Sequence, residues 1–157
     1  MSSIPSPEDL SNLPAKKKPL TQRHANRMAL VQFLYMSEIN PPDVLSDTIR
    51  NFFEDKDRPR EYFEYAEEVI NDIQDKIPEI DEKIQDFSQN WKISRIAKTD
   101  LAILRLGIYE LLFRDDIPPV VAIDEAIELS REFSTDQSNS FINGILDRAL
   151  RSHPRPK

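Results

Sequence analysis

The residues able to do chemistry in this chain gather toward its two ends. Near the start, Lys16, Lys17 and Lys18 lead into Arg23, His24 and Arg27. Arg23 and Arg27 stand four apart, so a helix projects them on one side. A basic arm ahead of a fixed helical pair suits contacts to phosphate, with His24 and Gln32 as further donors. Charge alone equally suits a solubilising tail. Near the other end, Gln137, Ser138, Asn139 and Ser140 offer amide and hydroxyl groups beside Phe141. A helix starting there presents free N–H groups and the positive end of its dipole. Unpaired RNA is read by stacking aromatics together with polar groups that reach base edges. Phe141 also suits a core position, and its polar neighbours suit caps and turns. Spacing alone does not join the two elements into one site.

Other chemistries are excluded by what is missing. The 157 residues contain no cysteine, so disulfides, thiolate zinc sites and cysteine nucleophiles are ruled out. The two histidines, His24 and His153, lie far apart, which excludes a histidine-rich metal site. With two glycines in the chain there is no phosphate-cradling loop, and no nucleophile elbow or calcium-loop pattern occurs. Asp115-Asp116 and Asp124-Glu125 imitate a catalytic dyad, but acid–base work needs a desolvated cleft. Asp124, Glu125 and Glu128 fall at helical spacing and are read as a wet face. No apolar run approaches the about eighteen residues of a membrane span, and the N-terminus lacks a secretory h-region. A cytoplasmic protein with no membrane contact is expected.

Net charge is -7, which by itself argues against a nucleic-acid partner. Its distribution does not. Residues 1–35 carry five cations against two acids, and residues 148–157 carry four cations and no acid. The intervening 36–147 hold a net -14. An acidic body repels phosphate generally, while a basic end still attracts it locally.

The elements that must position these residues all read as helices. Residues 1–19, with four prolines and the lysine cluster, read as a flexible basic arm. Residues 20–152 form a single helical domain, and 153–157 a basic tail. The spacing predicts about seven helices. The first, 20–38, starts at Thr21 or Leu20, shows Ala25, Met28, Val31, Gln32 and Tyr35 on one face, and ends at Asn40-Pro41-Pro42. The second, 43–55, takes Asp43 as its N-cap. The third is 60–76, and Pro78 breaks the chain before the fourth, 79–90, which is followed by Trp91. The fifth, 94–114, is apolar on more than one side and therefore central. The sixth is 119–133 and the seventh 137–151. Gly107 and Gly144 lie inside helices, where each costs about 1 kcal/mol relative to alanine. Gly107 is expected to permit close helix packing; Gly144 suits either packing or contact with a partner.

The stretch from Asp100 to Leu150 contains LAILRLGIYEL, then IPPVVAIDEAIELSREF, then SFINGILDRAL. These three pieces, in this order, closely resemble the C-terminal half of the NusB family. Arg23-x-x-x-Arg27 followed by ALVQFLY, residues 29–35, resembles the family's opening helix. The middle, about 40–90, is only loosely similar.

The resemblance implies an all-α fold of two small helical subdomains forming a compact bundle. It implies an RNA-binding factor of transcription antitermination and transcription regulation, not an enzyme, with no cofactor. The partners implied are boxA-like single-stranded RNA, the NusE-type small-subunit ribosomal protein, other Nus factors and RNA polymerase, notably at ribosomal RNA operons. Carried onto this chain, the RNA-binding residues are Lys16, Lys17, Lys18, Arg23, His24, Arg27, Gln137, Ser138 and Phe141. The protein interface falls near Asp100 and Arg105. The family often has an acid at the position of Gln137, so the neutral amide here implies tighter RNA binding. In the family's fold the first helix and the start of the last lie close, which would make the arm and the Phe141 turn two walls of one groove.

Two other readings compete. A purely protein-binding helical module, such as a homodimer, would use the arm for solubility. An RNA-modifying enzyme with a NusB-like domain would need a further α/β domain with a glycine-rich loop, and the chain ends at Lys157 without one.

Overall fold

Prolines and one threonine set most helix ends. In the computed structural model the described residues are 21–152 except Asn90. The arm 1–19 with Lys16, Lys17 and Lys18, and the tail 153–157 with His153, lie outside them. Helix α1 (Gln22–Ile39) begins at Thr21, whose hydroxyl accepts from the His24 N–H at 3.0 Å. It stops at Asn40 before the two prolines. Helix α2 (Leu45–Glu54) starts later than expected: Val44, not Asp43, holds the cap position and makes no side-chain bond. Pro42 and Asp43 stay in the connector, Asp43 one residue too early to cap.

Arg60–Phe63 form a 3-10 turn, followed by α3 (Glu64–Ile73), a second 3-10 turn (Gln74–Lys76) and α4 (Ile77–Phe87). Pro78 was expected to break the chain here. It occupies the first turn of α4, where its missing N–H costs nothing. Segments α3 and α4 are therefore one bent rod. After a 3-10 turn at Ile93–Arg95 come α5 (Lys98–Phe113), α6 (Pro119–Phe133) and α7 (Asp136–Ser152). Among the described residues the fold is all-helical with no strand, and the expected seven helices reduce to six rods.

Helix α5 is central, as its all-round apolar character requires. Every residue from Asp100 to Leu111 is buried, and α1, α4, α6 and α7 all pack on it. A Cβ on Gly107 would stand 3.0 Å from Leu146 Cδ2 and 3.6 Å from Ala126 Cβ. The glycine thus lets α6 and α7 close on α5. Gly144 differs, since its nearest neighbour is the Arg148 guanidinium at 3.5 Å.

Helix α1 buries Arg27, Ala29, Leu30, Val31, Phe33 and Leu34, while Gln32 and Tyr35 are exposed. The face expected from spacing is rotated because α3 and α5 both flank this helix and cover a wide arc of it. Asn26, also buried, donates to the carbonyls of Gln22 and Tyr62 and accepts from the Ala66 N–H at 2.9 Å. That last bond satisfies an orphan donor in the first turn of α3. Phe33, Phe52, Phe53 and Phe63 join α2 to α1 and to the 3-10 turn at Arg60–Phe63 through ring contacts of 5.0–5.3 Å. Buried apolar side chains from α1 through α7 form one continuous cluster. Among the described residues, no helix is long and apolar enough to cross a membrane.

Candidate nucleic-acid interface

Two of the three basic side chains expected to face RNA from α1 are engaged inside the protein. Arg27 is 3% exposed. Its Nε donates to Glu110 of α5 at 3.0 and 3.2 Å, and the Tyr65 hydroxyl of α3 donates to the same carboxylate at 2.5 Å. A second carboxylate, Glu125 of α6, lies 3.7 Å from Arg27 Nη1. Burial, together with the Glu110 charge, pushes the Tyr65 phenol far above its usual range, so it stays a donor.

His24 is clasped by α6. Its Nδ1 lies 2.7 Å from Glu125 Oε2 and its Nε2 2.5 Å from Glu132 Oε1. Burial opposes its protonation, but the hydrogen bonds and charges of the two carboxylates outweigh it and raise the pKa. Glu125, expected on a wet face, is instead half-buried as the hinge between His24 and Arg27. Neither His24 nor Arg27 is free to hold phosphate in this arrangement.

Arg23 is the exposed arginine of α1. Its guanidinium lies 3.8 Å from the centroid of the Tyr65 ring, a cation–π stack that fixes the side chain while leaving it in solvent.

The second expected element is built on the α6–α7 turn. The Thr135 hydroxyl accepts from the Ser138 N–H at 3.3 Å at the start of α7. Asp100, 8% exposed at the start of α5, accepts from the hydroxyls of Ser134 at 2.6 Å and Ser138 at 2.8 Å. The expected interface residue Asp100 and the expected RNA residue Ser138 are therefore in direct contact. The Ser130 hydroxyl donates to Asn139, which further ties α6 to α7. Gln137 is exposed. Phe141 is half-buried, packs on the core, and meets Trp91 edge-on with centroids 6.5 Å apart.

Arg105 is 8% exposed and faces α4 and the end of α1. It makes a bidentate pair with Asp81 at 2.9 and 2.8 Å and donates to Glu38 at 2.6 Å. The bond from Arg105 holds the Glu38 carboxyl below its usual range, against a smaller opposing effect of burial.

No hydrogen bond, ion pair or ring contact joins the described α1 candidates to Gln137, Ser138 or Phe141. The nearest tie is His24 to Glu132, just before the turn. Helix α6 packs on both α1 and α7. Sequence reasoning missed Glu110, Glu125 and Trp91. One signal was available for the first: Arg27 shares three–four spacing with Leu30, Val31 and Leu34, which points it inward.

The sequence profile of the NusB family matches residues 24–151. The chain belongs to the NusB family. The match takes in all of α5 and α6 and both ends of the clasp between α1 and α6. A transcription antitermination protein NusB from Acetivibrio thermocellus is 44% identical over 129 residues, 82% of this chain and 88% of its own. One from Methylacidiphilum infernorum is 38% identical over 136 residues, 87% and 95% of the two chains. Among solved structures, T. maritima NusB superposes with a TM-score of 0.76 at 34% identity, covering 89% of this chain and 96% of its own. A chain from a structure of antitermination factors NusB and NusE in complex with dsRNA reaches a TM-score of 0.74 at 22% identity, over 84% and 98%. At that identity the likeness bears on the fold.

Proposed function

We propose that this NusB-family chain is an RNA-binding transcription antitermination factor that takes boxA-type single-stranded RNA together with a NusE-type ribosomal protein. It joins other Nus factors on RNA polymerase, works in the cytoplasm and catalyses no reaction. The observation that carries the reading is the match over nearly the whole chain to relatives named transcription antitermination proteins. A protein of the same fold stands in a solved structure with NusE and double-stranded RNA, which supports partners of these two classes.

In this chain the residues assigned to RNA are Arg23, the arm with Lys16, Lys17 and Lys18, and Gln137 and Phe141 on the turn. Ser138 acts through Asp100: their bond sets the turn's shape, which makes both positioning residues. His24 and Arg27 hold α1 against α5 and α6, and so fix where Arg23 and the arm emerge. Arg105 orders Glu38 and Asp81 into an acidic face that suits a basic ribosomal protein. The helices are read as two small subdomains sharing one core.

A salt series tests this. Binding of a short boxA-like RNA, with and without the NusE-type partner, should weaken with salt at a slope of about -0.7 per phosphate contacted. Arg23→Ala should remove about one such contact while leaving the fold unchanged. Absence of sequence-selective RNA binding in either condition sinks the reading and leaves a protein-binding helical module.

A further inference from the structure

Trp91 is 54% exposed, yet both its backbone N–H and its carbonyl are hydrogen-bonded. Its carbonyl accepts from Ser88 Oγ at 2.7 Å and Gln85 Nε2 at 2.9 Å, and its N–H donates to the Ser88 carbonyl at 3.2 Å. Gln85 Oε1 accepts from the Ile93 N–H at 2.9 Å, and Ser88 is itself buried. Gln89, with φ at 56°, turns the chain sharply before it. The loop after α4 is thus built around a large ring left in solvent, where burial would otherwise be favoured.

The ring meets Phe141 at an interplanar angle of 71°. An edge-to-face contact leaves open faces on the pair, and Trp91 is the more exposed of the two. On α7, Gly144 follows Phe141 by three residues and Arg148 by seven, so the three share one face. Arg148 Nε donates to the Phe87 carbonyl at 2.8 Å, which aligns its guanidinium beside the end of α4. Its Nη1 and Nη2 lie over Gly144, 3.5 and 3.6 Å from where a Cβ would stand. Residues 88–98 carry Lys92, Arg95 and Lys98 with no acid, in a chain of net charge -7; Lys98 pairs with Glu38 at 3.7 Å, so Lys92 and Arg95 are the cations nearest Trp91 in sequence. A local cationic strip disfavours a basic protein and favours a polyanion.

We propose that Trp91, edge-on to Phe141, is the stacking platform for an unpaired base of single-stranded RNA, with Arg148 placed for the adjoining phosphate. The proposal rests on the RNA reading above and adds its base-contacting surface. Every base has a π-face, so such a platform supplies affinity with little sequence preference. Selectivity is then left to groups such as Gln137 that can reach base edges.

Trp91 is the single tryptophan of the chain, so its emission reports on the platform directly. The full chain is titrated with a fluorescently labelled boxA-type RNA of about a dozen nucleotides, alone and with the NusE-type partner. Anisotropy of the label measures binding, and tryptophan emission, corrected with the Trp91→Phe protein, measures contact. Quenching should track the anisotropy change. Trp91→Ala should bind roughly 5- to 150-fold more weakly, from the usual worth of one stacked base. Trp91→Tyr should retain most of the affinity, and all variants should keep wild-type circular dichroism. Normal binding by anisotropy with unchanged emission and undiminished Trp91→Ala affinity overturns the platform but leaves the RNA reading standing. No binding by anisotropy removes both. Emission that responds to the partner alone, with Trp91→Ala losing only the partner, makes Trp91 a protein contact and overturns the proposal.

Discussion

Replacing Arg27 with methionine keeps the length and apolar stem of the side chain and removes its charge. Glu110, 1% exposed, would then keep the Tyr65 hydroxyl as a donor but lose the guanidinium that balances it. Breaking a buried pair from one side costs about 3–5 kcal/mol, because the remaining charge is left desolvated. For a chain of this size each kcal/mol is worth roughly 2–4 °C, so the melting temperature should fall by about 6–20 °C. The assay is thermal unfolding followed by circular dichroism, with urea unfolding as a check on two-state behaviour. Adding Glu110→Gln removes the orphaned charge and still offers an acceptor to Tyr65, so the double variant should regain most of the loss. Arg23→Ala, on the exposed side of the same helix, should cost no more than about 1 kcal/mol, the worth of its exposed cation–π stack on Tyr65. If instead Arg27→Met melts within about 3 °C of wild type and loses RNA affinity with a shallower salt slope, the buried clasp is wrong. Arg27 would then be the phosphate contact its spacing from Arg23 first indicated.

The His24 clasp makes a pH prediction. Its folded pKa is raised, so its contribution to stability is fully present below the unfolded value of about 6.5 and is lost as pH rises through the folded value. The melting temperature of wild type minus that of His24→Gln should shrink across that window, and a constant difference would refute the charged clasp. The two glycines should respond in opposite directions. Gly107→Val should cost about 1–3 kcal/mol through overpacking against Leu146, whereas Gly144→Ala should gain about 0.5–1 kcal/mol in urea unfolding. Equal effects at both would contradict the packing assigned to Gly107. Finally, Gln137→Asp puts a negative charge on the exposed start of α7 and should weaken RNA binding, more at low salt than at high. Unchanged affinity would remove Gln137 from the interface.

Local signals carried much of the fold. Thr21 as a cap, Asn40-Pro41-Pro42 as a stop and Pro119 as a start depend on a residue and its immediate neighbours, and each lies where the spacing put it. The same holds for α5, whose all-round apolar surface admits only a central position. Family likeness too is a property of the string, through LAILRLGIYEL and SFINGILDRAL. Where two local signals competed, register decided: Asp43 is a good cap type one residue too early, and Pro78 stops a helix except in its first turn.

The fates of the charged residues were a tertiary matter. Arg27 and Glu110 are 83 residues apart in sequence, His24 and Glu132 108 apart, and Ser138 and Asp100 38 apart. Spacing shows which face of a helix a side chain occupies, but not what the opposing helix offers it. A basic residue at the start of α1 is a phosphate ligand if it meets solvent and a structural strut if it meets a buried carboxylate. Only the packing of α1 between α3, α5 and α6 left Arg23 in solvent and set His24 and Arg27 against carboxylates. The packing of α4 on α7 brought the loop after α4 beside α7, and so set the one tryptophan against the phenylalanine already singled out.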